Sequence, residues 1–221
     1  LAEVFKTLSA FSPGRIDFGV GRAPGGDNYS IFALSEGRQP MVHNMYEKFD
    51  IALKLMNDEI PEDRLYDKTI ATPSNILLPE AWMLGSSGSS AVKSGEMGVG
   101  YSFAQFFNGD LTKEIIDAYK EHFKPSAFME KPKTIVSYMV TTAETKEEAE
   151  YEARPQDISR LLLQQGRMIQ ALTPEEAMDY PLTEMDRMKI EENRKLHLVG
   201  SAKEIALLLE KEQEHYGFDE A

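Results

Sequence analysis

Apolar positions in the first two-thirds of the chain switch repeatedly between two periods. Short runs of strand type fall at residues 15–21, 81–87, 98–106 and 133–142, the last rich in Val, Ile, Thr and Tyr. Between them the spacing lengthens to that of a helix, at 46–57 after the first run, 89–97 after the second and 112–123 after the third. Strands alternating with helices predict βαβ units, right-handed crossovers and a parallel sheet. The expected class is α/β.

Leu1, Val4, Phe5, Leu8 and Phe11 also recur at helical spacing, with no capping residue before them, so the chain is expected to begin inside a helix. From Thr145 onward the pattern is mostly helical. Capping boxes stand at Thr145 with Glu148 and at Thr173 with Glu176, the second with Pro174 at the first helical position. The charged stretch 184–195 reads as a solvated helix face. A third box, Ser201 with Glu204, opens a helix through about Tyr216 with Gly217 as its cap. Phe218 to Ala221 stops where another strand is expected, and the whole of 1–221 is read as one domain.

Two strand ends carry the chemistry. The first run leads through Gly19 and Gly21 into Arg22, Pro24 and a loop long for a βα connection, extending to Asn44. The second leads into Gly85-Ser86-Ser87-Gly88-Ser89-Ser90 and a helix. If these strands are neighbours, both carboxyl ends face one rim and the arginine converges on the serines. Gly85 and Gly88 let backbone approach a ligand, and Ser86, Ser87 and Ser90 offer hydroxyls. The amides of the helix start favour an anion, and arginine is a forked cationic donor suited to phosphate. Neither glycine cluster spells GxGxxG, which argues against a dinucleotide fold and for a barrel whose ligands bind at the carboxyl rim. Eight strands need about 250 residues, so the chain is expected to be part of a barrel.

Composition narrows the ligand. With 24 Lys and Arg against 37 Asp and Glu, the net charge of −13 argues against general nucleic-acid binding, so an anion must be held by a few placed donors. The absence of cysteine excludes thiolate catalysis, thiolate-bound metal and disulfides. No apolar run reaches the length of a membrane span, and no metal site is expected, since His43, His122, His197 and His215 show no ligand spacing. His122 and His215 suit helix C-termini, and His43 is a candidate loop residue. Trp82 is expected between barrel and helices.

Three stretches, FKTLSAFSPGRIDFGVGRAPGGD, PEAWMLGSSGSSAVKSGEMGVGYSFAQFF and HLVGSAKEI, resemble the bacterial luciferase-like, FMN-dependent monooxygenases. The resemblance runs over most of the chain. It implies a (β/α)8 TIM barrel, of which this chain is the portion lacking the first strands and the last one. It implies FMN as cofactor, its phosphate contacted by Arg22, the backbone at Pro24, Gly85, Ser86, Ser87, Gly88 and Ser90. Gln105 would lie near the flavin ring; a rim residue satisfied by loop backbone is the alternative. The implied reaction uses reduced FMN and O2, through a flavin C4a-hydroperoxide, to oxygenate a small organic substrate such as an aldehyde. A flavin reductase as supplier of reduced FMN, a homodimer and a cytoplasmic location are the associated expectations. No catalytic residue is carried over, because the family's catalytic histidine belongs near the start of the barrel. A flavin-binding protein without turnover and a deazaflavin-dependent reductase of the same fold remain alternatives.

Overall fold

The computed structural model describes residues 1–22, 27–40, 42–107, 109–167 and 170–221. Its first part contains α1 (Ala2–Phe11), β1 (Asp17–Gly21), α2 (Asn28–Leu34), α3 (Met45–Met56), β2 (Glu80–Gly85), α4 (Gly88–Met97), β3 (Gly100–Ala104), α5 (Lys113–His122) and β4 (Thr134–Ser137). The four strands form one parallel sheet in the order β1-β2-β3-β4. Beyond β4, Glu220 bridges Ile135 in parallel, where the next strand was expected. The Asp219 carboxylate fixes that approach, accepting the amide and hydroxyl of Thr134 at 2.7 Å each. Strands in sequential order without a reversal are the order of a barrel, whereas a doubly wound sheet reverses at a switch point.

Strand alternation divides the sheet into two faces. On the helix side, Phe18, Ala81, Met83 and Val99 pack with Phe49, Ala52, Leu53 and Met56 of α3. Tyr101, Phe103 and Val136 continue that layer against Ala91 of α4 and Ile116 and Tyr119 of α5. Burying each large side chain contributes about 1.5–3 kcal/mol, so this layer is the principal source of cohesion.

On the opposite face, glycines of β1 and β3 are fitted around Leu84 and Trp82 of β2. A Cβ on Gly19 would stand 3.1 Å from Leu84, and one on Gly100 only 2.3 Å from the Trp82 ring. Trp82 therefore lies on the inner face, not between barrel and helices as its apolar surroundings in sequence suggest. Its neighbours Ala81 and Met83 occupy the helix side, and a period of two leaves Trp82 the other.

The second part holds β5 (Met139–Ala143), α6 (Lys146–Glu152), α7 (Arg154–Gln164), α8 (Pro174–Met178), α9 (Glu184–Arg194), β6 (His197–Ser201) and α10 (Ala202–Tyr216). The run 133–142, expected as one strand, is two. Tyr138 separates β4 from β5, which pairs in parallel with β6 in a second sheet. The Tyr138 hydroxyl donates to the Glu212 carboxylate on α10, anchoring the change of sheet. All three expected capping boxes are present, and a fourth at Thr183 with Asp186 starts α9. The long loop expected between β1 and α3 contains α2, which Asp27 caps by accepting the amides of Tyr29 and Ser30.

Candidate functional site

Gly21 pairs with Leu84, so the next residues on the two strands are Arg22 and Gly85. With parallel strands about 4.8 Å apart, the arginine and the serine turn leave one rim side by side. Arg22 is exposed and makes no ion pair among the described residues. Pro24, the other expected contact on this strand end, lies outside the described residues.

The serine turn is built by its own hydroxyls. Ser87 caps α4, its Oγ accepting the Ser90 amide. The Ser90 hydroxyl turns inward and donates to the Ser87 carbonyl at 2.8 Å. From β3 the Tyr101 hydroxyl donates to the same carbonyl at 3.0 Å and lies 3.1 Å from Ser90 Oγ. Burial pushes the Tyr101 phenol's pKa up, so it stays a neutral donor. Gly85 makes the fold of this turn possible, since a Cβ there would meet Ser90 Oγ at 2.2 Å. Gly88 faces open space, with nothing within 4 Å of a Cβ.

This construction leaves specific donors at the rim. The amides of Gly88 and Ser89 occupy the first two positions of α4, where no intrahelical acceptor exists. The helix N-terminus adds a favourable potential for an anion. Ser86 makes no side-chain hydrogen bond among the described residues, and Ser87 Oγ has a hydroxyl partner in Ser89 at 3.0 Å. Together with Arg22 these are polar groups that the carboxyl rim of β1 and β2 presents. The Ser90 hydroxyl is engaged inside the turn, with the Ser87 carbonyl and the Tyr101 hydroxyl.

Gln105 lies just past β3, at the same rim, where its Oε1 accepts the Leu111 amide at 3.1 Å and closes the β3–α5 loop. His43 sits in a single 3-10 turn, Val42–Asn44, and is exposed. His122 Nδ1 lies 2.9 Å from the Ala118 carbonyl at the end of α5. Sequence reasoning missed Tyr101 as the support of the turn, since a tyrosine in a strand signals only packing. It also missed His197, which is buried with Nε2 2.8 Å from the Thr141 hydroxyl. Burial, then the positive charge of Arg194, holds its pKa below the usual histidine value.

Parallel strands in sequential order, with an arginine and a helix start at their carboxyl rim, have the order of an α/β barrel. A family model described as luciferase-like monooxygenase matches residues 1–219, and the chain belongs to that family. The uncharacterized protein YceB of Bacillus subtilis (strain 168) is 36% identical over 203 residues, covering 91% of this chain and 61% of YceB. The N-acetyl-S-alkylcysteine monooxygenase of the same organism is 33% identical over 182 residues, covering 81% of this chain and 54% of that enzyme. Among solved structures, apo-MsnO8 superposes with a TM-score of 0.78 at 28% identity, covering 99% of this chain and 65% of that one. The fold is thus that of the luciferase-like barrels, and the chain spans between 54% and 65% of the length of these relatives. At 19% and 15% identity the fold is shared with an FMN complex of 3,6-diketocamphane monooxygenase and with an F420-dependent secondary alcohol dehydrogenase. No helix among the described residues is long and apolar enough to cross a membrane.

Proposed function

We propose that this protein is a flavin-dependent monooxygenase that uses reduced FMN and O2 to oxygenate a small organic, aldehyde-like substrate. The observation that carries this reading is the adjacency, in register, of the ends of β1 and β2, from which Arg22 and the Gly85–Ser90 turn follow. Family membership supplies the class of reaction.

In this reading Arg22 gives the phosphate a permanent charge and a forked donor, as Ser86, Ser87 and the amides of Gly88 and Ser89 complete its shell. Gly85 and Ser90 keep the turn in shape, with Tyr101 behind it, and the backbone at Pro24 adds to the grip. Gln105 borders the ring end by holding its loop closed. Bound FMN, when reduced, supplies the activation of dioxygen. The chain's task is to orient the cofactor and to keep water from the reacting face. Residues 1–221 act as one portion of the barrel. A homodimer in the cytoplasm, supplied with reduced FMN by a flavin reductase, completes the proposal.

The test is oxygen uptake by the protein extended to the length of its relatives, supplied with reduced FMN and a panel of aldehydes and thioethers. Product formation that matches oxygen uptake is expected. FMN binding with no oxygenated product would leave a binding protein without turnover. Binding of a deazaflavin in preference to FMN would make it a reductase instead.

A further inference from the structure

Arg160, on α7, reaches out of its own part of the fold to the rim. Its Nη1 donates to the Phe106 carbonyl at 2.7 Å and its Nη2 to the Phe107 carbonyl at 2.9 Å, across 54 and 53 residues of chain. Both carbonyls belong to the loop that leaves the carboxyl end of β3. The guanidinium is partly desolvated, which lowers its pKa, and it has no carboxylate partner among the described residues. A half-buried cation that spends its charge on two consecutive carbonyls fixes their direction more firmly than neutral donors could.

Four further contacts make this a brace with two fixed ends. On α7, the buried Asp157 carboxylate is held in a bidentate pair by Arg194 of α9, at 2.6 and 2.7 Å. Gln164 and Asn193 exchange hydrogen bonds of 3.0 Å between the same helices. At the far end, Phe106 donates its amide to the Ser137 carbonyl at 3.3 Å, and Gln105 closes the loop through Leu111. The β3–α5 loop is therefore positioned from α7, by a helix itself locked to α9.

We propose that Arg160 is a positioning residue for the cofactor site, setting the wall at Gln105, Phe106 and Phe107 against the ring end of the bound flavin. The inference rests on the flavin reading above. It assigns Arg160 to the ring end, separate from the phosphate grip of Arg22 and Ser87. A lesion there must weaken flavins with and without a phosphate alike.

The test uses Arg160→Met and Arg160→Lys in the protein extended to the length of its relatives. FMN and riboflavin affinities, the visible circular dichroism of the bound flavin and the thermal midpoint are measured for each. Arg160→Met should weaken both flavins by a similar factor, about tenfold, and alter the visible dichroism. Arg160→Lys, which keeps the charge but not the fork, should recover part of both losses. Wild-type affinities and an unchanged visible spectrum in a folded Arg160→Met variant would overturn the assignment, as would a loss confined to FMN. Should Arg160→Met not fold, a folded Arg160→Lys with wild-type dichroism and affinities overturns it equally. If the unaltered protein binds neither flavin, the flavin reading falls and this assignment with it.

Discussion

The sheet of β1 to β4 and the part built around β5, β6, α7 and α9 are held together by different forces. In the first, Phe18, Met83, Tyr101, Phe103 and Val136 bury one face of every strand against α3, α4 and α5. In the second, a small apolar cluster of Ile158, Leu161, Leu162, Ala177 and Ile190 is accompanied by the Asp157–Arg194 and Gln164–Asn193 pairs. The difference teaches where each part can carry function. A sheet secured from one side leaves its carboxyl rim to glycines and hydroxyls that the core does not need for packing. A part secured by directional polar pairs holds a precise orientation, which suits it to brace a rim loop, and it inherits a dependence on pH.

Breaking the polar pair separates the two parts most sharply. Asp157→Ala leaves the Arg194 guanidinium largely buried with, among the described residues, only Glu150, at 3.0 Å, as carboxylate partner. A loss of about 3–5 kcal/mol is expected in urea denaturation. Hydrogen exchange should rise in α7 and α9 far more than in β1 to β4.

On the sheet side, Gly85→Ala places a methyl 2.2 Å from Ser90 Oγ. The turn must open, at about 1–3 kcal/mol, and a denaturation curve with a parallel FMN titration should show lost affinity exceeding the modest loss of stability.

The smallest effect sharpens the contrast in pH. His197 is held neutral, its pKa lowered from 6.5 first by burial and then by Arg194. The unfolded chain takes up a proton near pH 6.5 that the folded chain resists, so this contribution is whole above that pH. It is lost as pH falls toward the lowered folded value. Urea midpoints measured across that range should decline for the wild type, and His197→Gln should flatten the decline.

The sequence made the sheet legible because each signal was local. An apolar run, a glycine at its end and a capping box lie within a few residues, and β1 to β3, α3 to α5 and three boxes were read from them. The change of sheet at Tyr138 left no trace, since apolar alternation continues through it while the partner strand changes from β3 to β6. The strand β6 is short and opens on a buried histidine, so its run fell below notice. The position of Arg22 and Gly85–Ser90 at the ends of neighbouring strands was legible from the glycines that flank them. Tyr101 and Arg160 were not, because their partners stand 14 and about 54 residues away. Gln105 follows β3, and its bond to the Leu111 amide matches the alternative reading of a rim residue satisfied by loop backbone.

The central claim is that Arg22 and the serine turn hold the phosphate of a flavin. Its most direct measurement is the Kd of FMN beside that of riboflavin, for the protein extended to the length of its relatives and for its Arg22→Ala/Ser87→Ala variant. The unaltered protein is expected to prefer FMN, and the double variant, still folded, to lose that preference by at least about tenfold while its riboflavin affinity is unchanged. An undiminished preference for FMN in the folded double variant would contradict the claim.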